Sequence, residues 1–251
     1  RLQQEHLARR SNPLRDDDAE YCVAYQGVDG AYSQLAAARH FGPRPASVRF
    51  QGYTSFKAMM EAVQTGDARY GMLPIENTTA GSINDAYDLL ARIDLHVVGE
   101  EVQKVDHCLV ALEPVPVSRI RRVFSHPQAL AQCSNFLSGL EDCHVESFTD
   151  TAMSVQKVGA EQDLSQAAVA SEEAARTYGL HVIKRDIANQ KENYTRFLVV
   201  AATPEKVDPR VVSKTSLILA TRHEQGALLG CLNVLAEHGL NLTKLESRPR
   251  P

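Results

Sequence analysis

From Tyr21 onward, short apolar runs of strand length alternate with helix-length segments, and this alternation constrains the fold more than any other feature of the chain. Strands are expected over residues 21–26, 47–51, 69–75, 95–102, 107–112, 122–124, 144–148 and 167–170, with a last one starting at Tyr194. Helices are expected over 32–41, 55–64, 83–91, 127–137, 151–160 and 171–178. The pattern implies an α/β architecture of parallel strands in two lobes, the first about 21–80 plus 186–203 and the second about 81–185. A loop with two prolines and two acids follows, and residues 204–212 read as a linker. Beyond it a strand over 215–220, a helix over 226–238 ending at Gly239 and a strand over 240–245 form one βαβ unit. A single βαβ unit buries little surface, so this second domain is expected to be either incomplete, the N-terminal part only, or completed by a partner. Residues 1–20 are polar, carry the run Asp16-Asp17-Asp18 and read as a linker.

Composition narrows the function. With 251 residues, 43% hydrophobic and 23% charged, there is material for two compact units. A net charge of −4 argues against a nucleic-acid surface, and 6% aromatics without Trp argues against base stacking. No apolar run reaches membrane-spanning length, so no membrane partner is expected. Five widely spaced cysteines read as the reduced thiols of a cytoplasmic protein. No pair of them has zinc-ligand spacing, and the nine histidines form no HExxH or HxxxH set. There is also no GxGxxG and no GxxxxGK[ST], so neither a metal nor a cofactor is expected.

Four polar clusters interrupt the apolar pattern where strands meet turns. Gln26-Gly27-Val28-Asp29-Gly30-Ala31-Tyr32-Ser33 follows a strand and opens a helix, where unpaired backbone N–H groups suit an anion and two glycines suit a tight structural turn. Glu76-Asn77-Thr78-Thr79 holds more hydroxyls and amides than one helix cap requires. Ser125-His126-Pro127-Gln128 precedes a helix on which Gln128 and Gln132 share a face, and His126 is either a base or a capping imidazole. Asn193-Tyr194-Thr195-Arg196-Phe197 sets a hydroxyl and a guanidinium at the mouth of an apolar strand. All four are expected at carboxyl ends of strands, where open α/β sheets place ligands. Their hydroxyls, amides, helix N-termini and one Arg suit a small polyanion acted on by hydrogen bonding and positioning.

In this order, the four clusters resemble the motifs of prephenate dehydratases. Gly226-Ala227-Leu228, followed by Asn241-Leu242-Thr243-Lys244-Leu245-Glu246-Ser247-Arg248-Pro249, is similar to the phenylalanine-binding ACT domain of that family. The resemblance covers about residues 21–251 and departs from the family pattern only in Glu-Asn-Thr where Glu-Asn-Ser is usual. It implies a type II periplasmic-binding-protein-like catalytic domain of two lobes over 21–203, with a ferredoxin-like ACT domain from residue 213. It also implies that prephenate is the substrate, that phenylalanine is an allosteric effector and that the protein is a homodimer or homotetramer. A chorismate mutase domain before Arg1 is implied if the chain is part of a bifunctional member.

Residue by residue, the resemblance makes Thr195 the general acid that protonates the departing hydroxyl. It assigns substrate contact to Tyr32, Ser33, Asn77, Thr78, Ser125 and Gln132, pairs Arg196 with a carboxylate, and leaves Phe197 as either a wall for the ring or plain core. The effector would meet Gly226, Ala227, Leu228, Asn241, Leu242, Glu246, Ser247, Arg248 and Pro249. The alternatives are an arogenate dehydratase and a non-catalytic bilobal amino-acid- or solute-binding protein.

Overall fold

The computed structural model describes residues 20–42, 47–206 and 210–247. The expected N-terminal linker, all but Glu20, therefore lies outside the described residues, as do Arg248 and Pro249. The chain divides into two units, Arg1–Ser213 and Lys214–Pro251, each considered by itself.

The first unit holds two mixed sheets built on the same plan. In the first lobe β1 (Tyr21–Gln26) lies parallel between β2 (Val48–Tyr53) and β3 (Tyr70–Asn77). Beyond β3 come β11 (Tyr194–Ala201) and β5 (His96–Lys104), giving the order β2-β1-β3-β11-β5, with the two-residue β4 (Gly81–Ser82) on the end of β3. In the second lobe β7 (Arg122–Ser125) lies parallel between β8 (His144–Ser147) and β9 (Gln166–Ala170). There β6 (Cys108–Ala111) and β10 (His181–Lys184) follow β9, giving β8-β7-β9-β6-β10. In both lobes the fourth strand runs antiparallel to its neighbours.

Two sequence expectations are corrected here. The sheets are mixed rather than parallel, because β11 and β6 are the strands by which the chain leaves one lobe for the other and so run back along their sheets. The lobe boundary lies near residue 105 rather than 80, since β4, α3 (Asn84–Leu90) and β5 complete the first lobe. The crossings, 105–107 and 185–193, run side by side, with Val105 N–H donating to Asn193 O at 2.8 Å and Ile187 N–H to His107 O at 3.3 Å.

Helices cover the sheets by burying apolar stripes. α1 (Tyr32–Phe41) sets Ala36, Ala37 and Phe41 against Val23, Tyr25, Met72 and Phe197 on one face of the first sheet. α2 (Phe56–Thr65), capped by Ser55 and stopped at the left-handed Gly66, puts Met59, Met60 and Val63 on the other. In the second lobe the expected helix over 127–137 breaks at Cys133, whose ψ of 13° ends α4 (Pro127–Gln132) before α5 (Ser134–Leu137). α6 (Thr151–Glu161) packs on β9, β6 and β7, and α7 (Glu172–Tyr178) on β10 and β6.

The β1–α1 loop belongs to the first lobe by chain order but packs into the second. Val28 and Ala31 join the cluster containing Phe124, Val155 and Ala174. Ser171 donates to Gly30 O at 3.3 Å and the Tyr178 hydroxyl to Asp29 O at 2.7 Å. At Gly30, φ is +83° and a Cβ would sit 2.8 Å from Ala174 Cα, so only glycine fits. The glycines of this cluster thus serve a close approach between lobes.

In the second unit α8 (Ala227–Glu237) opens at the left-handed Gly226 and is followed by Gly239 at φ +65°. The segments expected as strands over 215–220 and 240–245 form no regular structure and have no ladder partners among the described residues, and Leu217, Ile218, Leu240 and Leu245 are exposed. A strand forms only when a neighbour takes its N–H and C=O groups, and these two segments do not supply one another.

Candidate active site

The shared plan of the lobes brings two strand beginnings face to face. β11 starts beside the carboxyl end of β3, with Thr195 opposite Asn77, and β6 starts beside the carboxyl end of β9, with Cys108 opposite Ala170. Thr195 therefore reaches the ligand edge from the amino end of its strand, not from a carboxyl end as expected, because β11 is antiparallel to β3.

Around it a chain of side-chain amides links the lobes. Asn77 Oδ1 accepts from the backbone N–H groups of Thr79 and Ala80, each at 3.0 Å, and this identifies it as the oxygen because a peptide N–H cannot accept. Asn77 Nδ2 then donates one hydrogen to Asn193 Oδ1 at 2.8 Å and the other to Thr195 Oγ1 at 3.0 Å, shared with Tyr194 O at 3.2 Å. Asn193 Nδ2 in turn donates to Gln132 Oε1 at 3.0 Å, leaving Gln132 Nε2 to donate to Asn77 Oδ1 at 3.3 Å and to the Thr79 hydroxyl. His107 Nε2 lies 2.8 Å from the same Gln132 Oε1, and its Nδ1 lies 3.2 Å from the Tyr32 hydroxyl, which donates to Asp106 O at 2.6 Å. Two backbone N–H groups thus fix the polarity of a network reaching both lobes and both crossings.

Thr195 is 9% exposed, and among the described residues its hydroxyl makes one hydrogen bond, accepting from Asn77. An oxygen whose lone pair is occupied keeps its own hydrogen to donate elsewhere. Burial pushes the Tyr32 phenol well above its ordinary range, with Cys108 and Asp106 adding to it, so it remains a neutral donor. Burial holds His107 below the usual imidazole value against the opposing effect of Gln132, which keeps it neutral near pH 7.

Other expected contacts lie elsewhere. Arg196 is bound on the opposite side of the sheet: its guanidinium is 2.7 Å from Glu100 Oε2 and 3.4 Å from Glu76 Oε1. Successive residues of a strand alternate in face, so Glu101 meets Arg39 and His40 of α1 while Glu100 and Arg196 pair away from it. Arg196, expected to pair with a substrate carboxylate, here pairs with Glu100 and Glu76. Phe197 is 1% exposed and belongs to the core under α1. Ser125 is fully buried and donates to Val169 O at 2.6 Å, joining β7 to β9. Thr78 Oγ1 accepts from Tyr194 N–H at 3.0 Å and so fixes the start of β11. His126 takes the capping alternative, its Nδ1 accepting from Gln128 N–H at 3.2 Å. Ser33 is buried in the first turn of α1, which has no side-chain cap.

Sequence reasoning missed His107 and the roles of Asn193 and Thr79. Asn193 and Thr79 stand inside quoted motifs, but which amide faces which is a matter of tertiary geometry. His107 has no motif of its own; its signal is a histidine at the start of the strand that enters the second lobe.

A model of the prephenate dehydratase family, described as "PDT: Prephenate dehydratase", matches residues 23–205, which contain this whole network. The chain belongs to that family. Its likeness to individual members is consistent: it is 40% identical over 251 residues to the bifunctional chorismate mutase/prephenate dehydratase of Escherichia coli K12, covering 98% of this chain and 64% of the relative. It is 43% identical over 227 residues to arogenate dehydratase/prephenate dehydratase 2 of Arabidopsis thaliana, covering 90% of this chain and 58% of that protein. The crystal structure of prephenate dehydratase from Arthrobacter aurescens in complex with L-Phe superposes with a TM-score of 0.77 at 26% identity, covering 91% of this chain and 76% of that one. The chain spans about three fifths of the length of the curated relatives it matches.

Proposed function

We propose that this chain dehydrates and decarboxylates prephenate to phenylpyruvate, with Thr195 as general acid. The observation that carries the reading is the Asn77 Nδ2 to Thr195 Oγ1 hydrogen bond, 3.0 Å long, which turns the threonine proton outward in a family whose chemistry needs one proton delivered to a leaving hydroxyl. The ring carboxylate leaves as carbon dioxide, its bonding pair enters the ring, and the C–O bond breaks as the hydroxyl takes a proton and departs as water. Aromatisation drives the step. A positioned acid is worth roughly 10²- to 10⁴-fold, about 3 to 5 kcal/mol.

With Arg196 engaged by Glu100 and Glu76, carboxylate recognition falls to neutral donors. The first turn of α1 at Tyr32 and Ser33, which no side chain caps, suits one carboxylate through its backbone N–H groups and the helix dipole. Gln132 and Asn193 suit the other polar groups of the ring. The repeated strand order and double crossing are consistent with the type II periplasmic-binding-protein-like class expected from the sequence.

The second unit we read as belonging to an ACT domain that binds phenylalanine around Gly226, Ala227, Leu228, Asn241, Leu242, Glu246 and Ser247, in a homodimer or homotetramer. The L-Phe complex of the Arthrobacter relative supports the choice of effector. The Arabidopsis relative favours a second substrate reading, arogenate, which carries an amine where prephenate has a ketone. Incubation with each substrate separately, following phenylpyruvate and phenylalanine, tests both: release of phenylpyruvate from prephenate supports the first reading, and turnover of arogenate alone replaces it with the second.

A further inference from the structure

His107 stands at the place in the second lobe that Tyr194, the neighbour of Thr195, occupies in the first. It immediately precedes β6, whose first residue Cys108 sits opposite Ala170 as Thr195 sits opposite Asn77, and both strands run antiparallel beside the carboxyl end of the third parallel strand of their sheet. The repeated plan therefore brings the start of one strand from each lobe to the same amide network. It is 2% exposed, and its carbonyl is tied to the second crossing by Ile187 N–H.

The polarity of the amide network extends to its ring. Gln132 Oε1 already accepts from Asn193 Nδ2 at 3.0 Å, so the ring nitrogen 2.8 Å from it has to be a donor, and His107 carries hydrogen on Nε2. Gln132 is then fully satisfied, with two donors on its oxygen and two acceptors for its amide, Asn77 Oδ1 and Thr79 Oγ1. A flipped Gln132 would set N–H against N–H at Asn193 and oxygen against oxygen at Asn77. The hydroxyl of Tyr32 lies 3.2 Å from the other ring nitrogen, and the two rings meet edge to face at 5.7 Å.

We propose that His107 is a positioning residue: its Nε2–H holds the Gln132 carbonyl so that Gln132 Nε2 meets Asn77 Oδ1 and Asn77 Nδ2 stays on the Thr195 hydroxyl. His107 makes no contact with the reacting atoms in this role and acts through Gln132. The inference rests on the prephenate reading above. Because a misplacement of about 1 Å in a catalytic group costs on the order of 10²-fold, a relay of this kind acts on kcat more than on KM.

The test is a double-mutant cycle on the full chain with His107→Phe, Gln132→Ala and the pair, measuring phenylpyruvate release from prephenate and circular dichroism of each variant. The expected result is a kcat at least about tenfold lower for His107→Phe, with Gln132→Ala adding less than about threefold in its presence, since residues acting in series are non-additive. His107→Gln, whose amide N–H reaches the position of Nε2–H, should restore most of the rate, and the shorter His107→Asn should not. If His107→Phe does not fold, this Gln/Asn comparison carries the test, and equal rates overturn the proposal. Full additivity in the cycle, or a wild-type kcat for His107→Phe, also overturns it. An inactive wild-type chain removes the prephenate reading and this inference together, whereas an active wild type with an indifferent His107 removes the inference alone.

Discussion

Asn77 Nδ2 and Thr195 Oγ1 lie 3.0 Å apart although 118 residues separate them in the chain. The two residues face each other across the β3–β11 ladder, and the bond exists because Asn77 is itself oriented by the turn at Thr79 and Ala80. Asn77→Ala should lower kcat by roughly 10²-fold, since the hydroxyl loses the donor that aims its proton. Steady-state kinetics with prephenate check this, and Asn77→Asp should fare no better because its carboxylate brings an acceptor where a donor is needed.

Arg196 is predicted to matter for stability rather than for substrate. Its pairs with Glu100 and Glu76 join three strands at the point where the β3–β11 register shifts. Arg196→Lys should cost about 1 kcal/mol in urea unfolding while leaving KM for prephenate within about twofold, because an ammonium cannot span both acids. A large rise in KM with unchanged stability would put Arg196 back in the substrate site.

Gly30→Ala should loosen the join between the lobes. A methyl at φ +83° is strained, and it would meet Ala174 Cα at 2.8 Å, so a loss of about 2 to 4 kcal/mol is expected. Thermal unfolding and kcat should fall together, because this loop leads directly into the α1 turn that carries Tyr32.

Stability should also fall on the acid side of neutrality. Burial lowers the His107 pKa below 6.5, so just below that pH the unfolded chain binds a proton that the folded one does not. The contribution of this group is intact above pH 6.5 and is lost as the pH falls through the folded pKa. Melting temperatures measured downward from pH 7.5 check this, and His107→Gln should show a shallower decline.

Much of the fold was legible because period-2 and period-3.6 patterns are local. β1, α1, α2 and α6 follow their apolar spacing, and the caps at Ser55 and Asp150 lie where the sequence changes character. Strand direction was not legible: the apolar run after Thr195 is the same whether it runs up or down the sheet, and only the return from the second lobe decides. The short edge strand β10 went unread because its four residues are half-exposed and carry no alternation. The candidate site was legible as four polar clusters, since polar residues beside apolar strands need a reason. Their internal wiring was not, as Arg196 and Thr195 look equally available in sequence yet project from opposite faces of β11.

The most direct test of the account is the turnover of prephenate by Thr195→Ala and Thr195→Ser beside the wild type. If Thr195 supplies the proton, Thr195→Ala lowers kcat by at least about 10²-fold with KM little changed, and Thr195→Ser retains more activity because it keeps the hydroxyl. A Thr195→Ala enzyme with wild-type kcat would contradict the assignment.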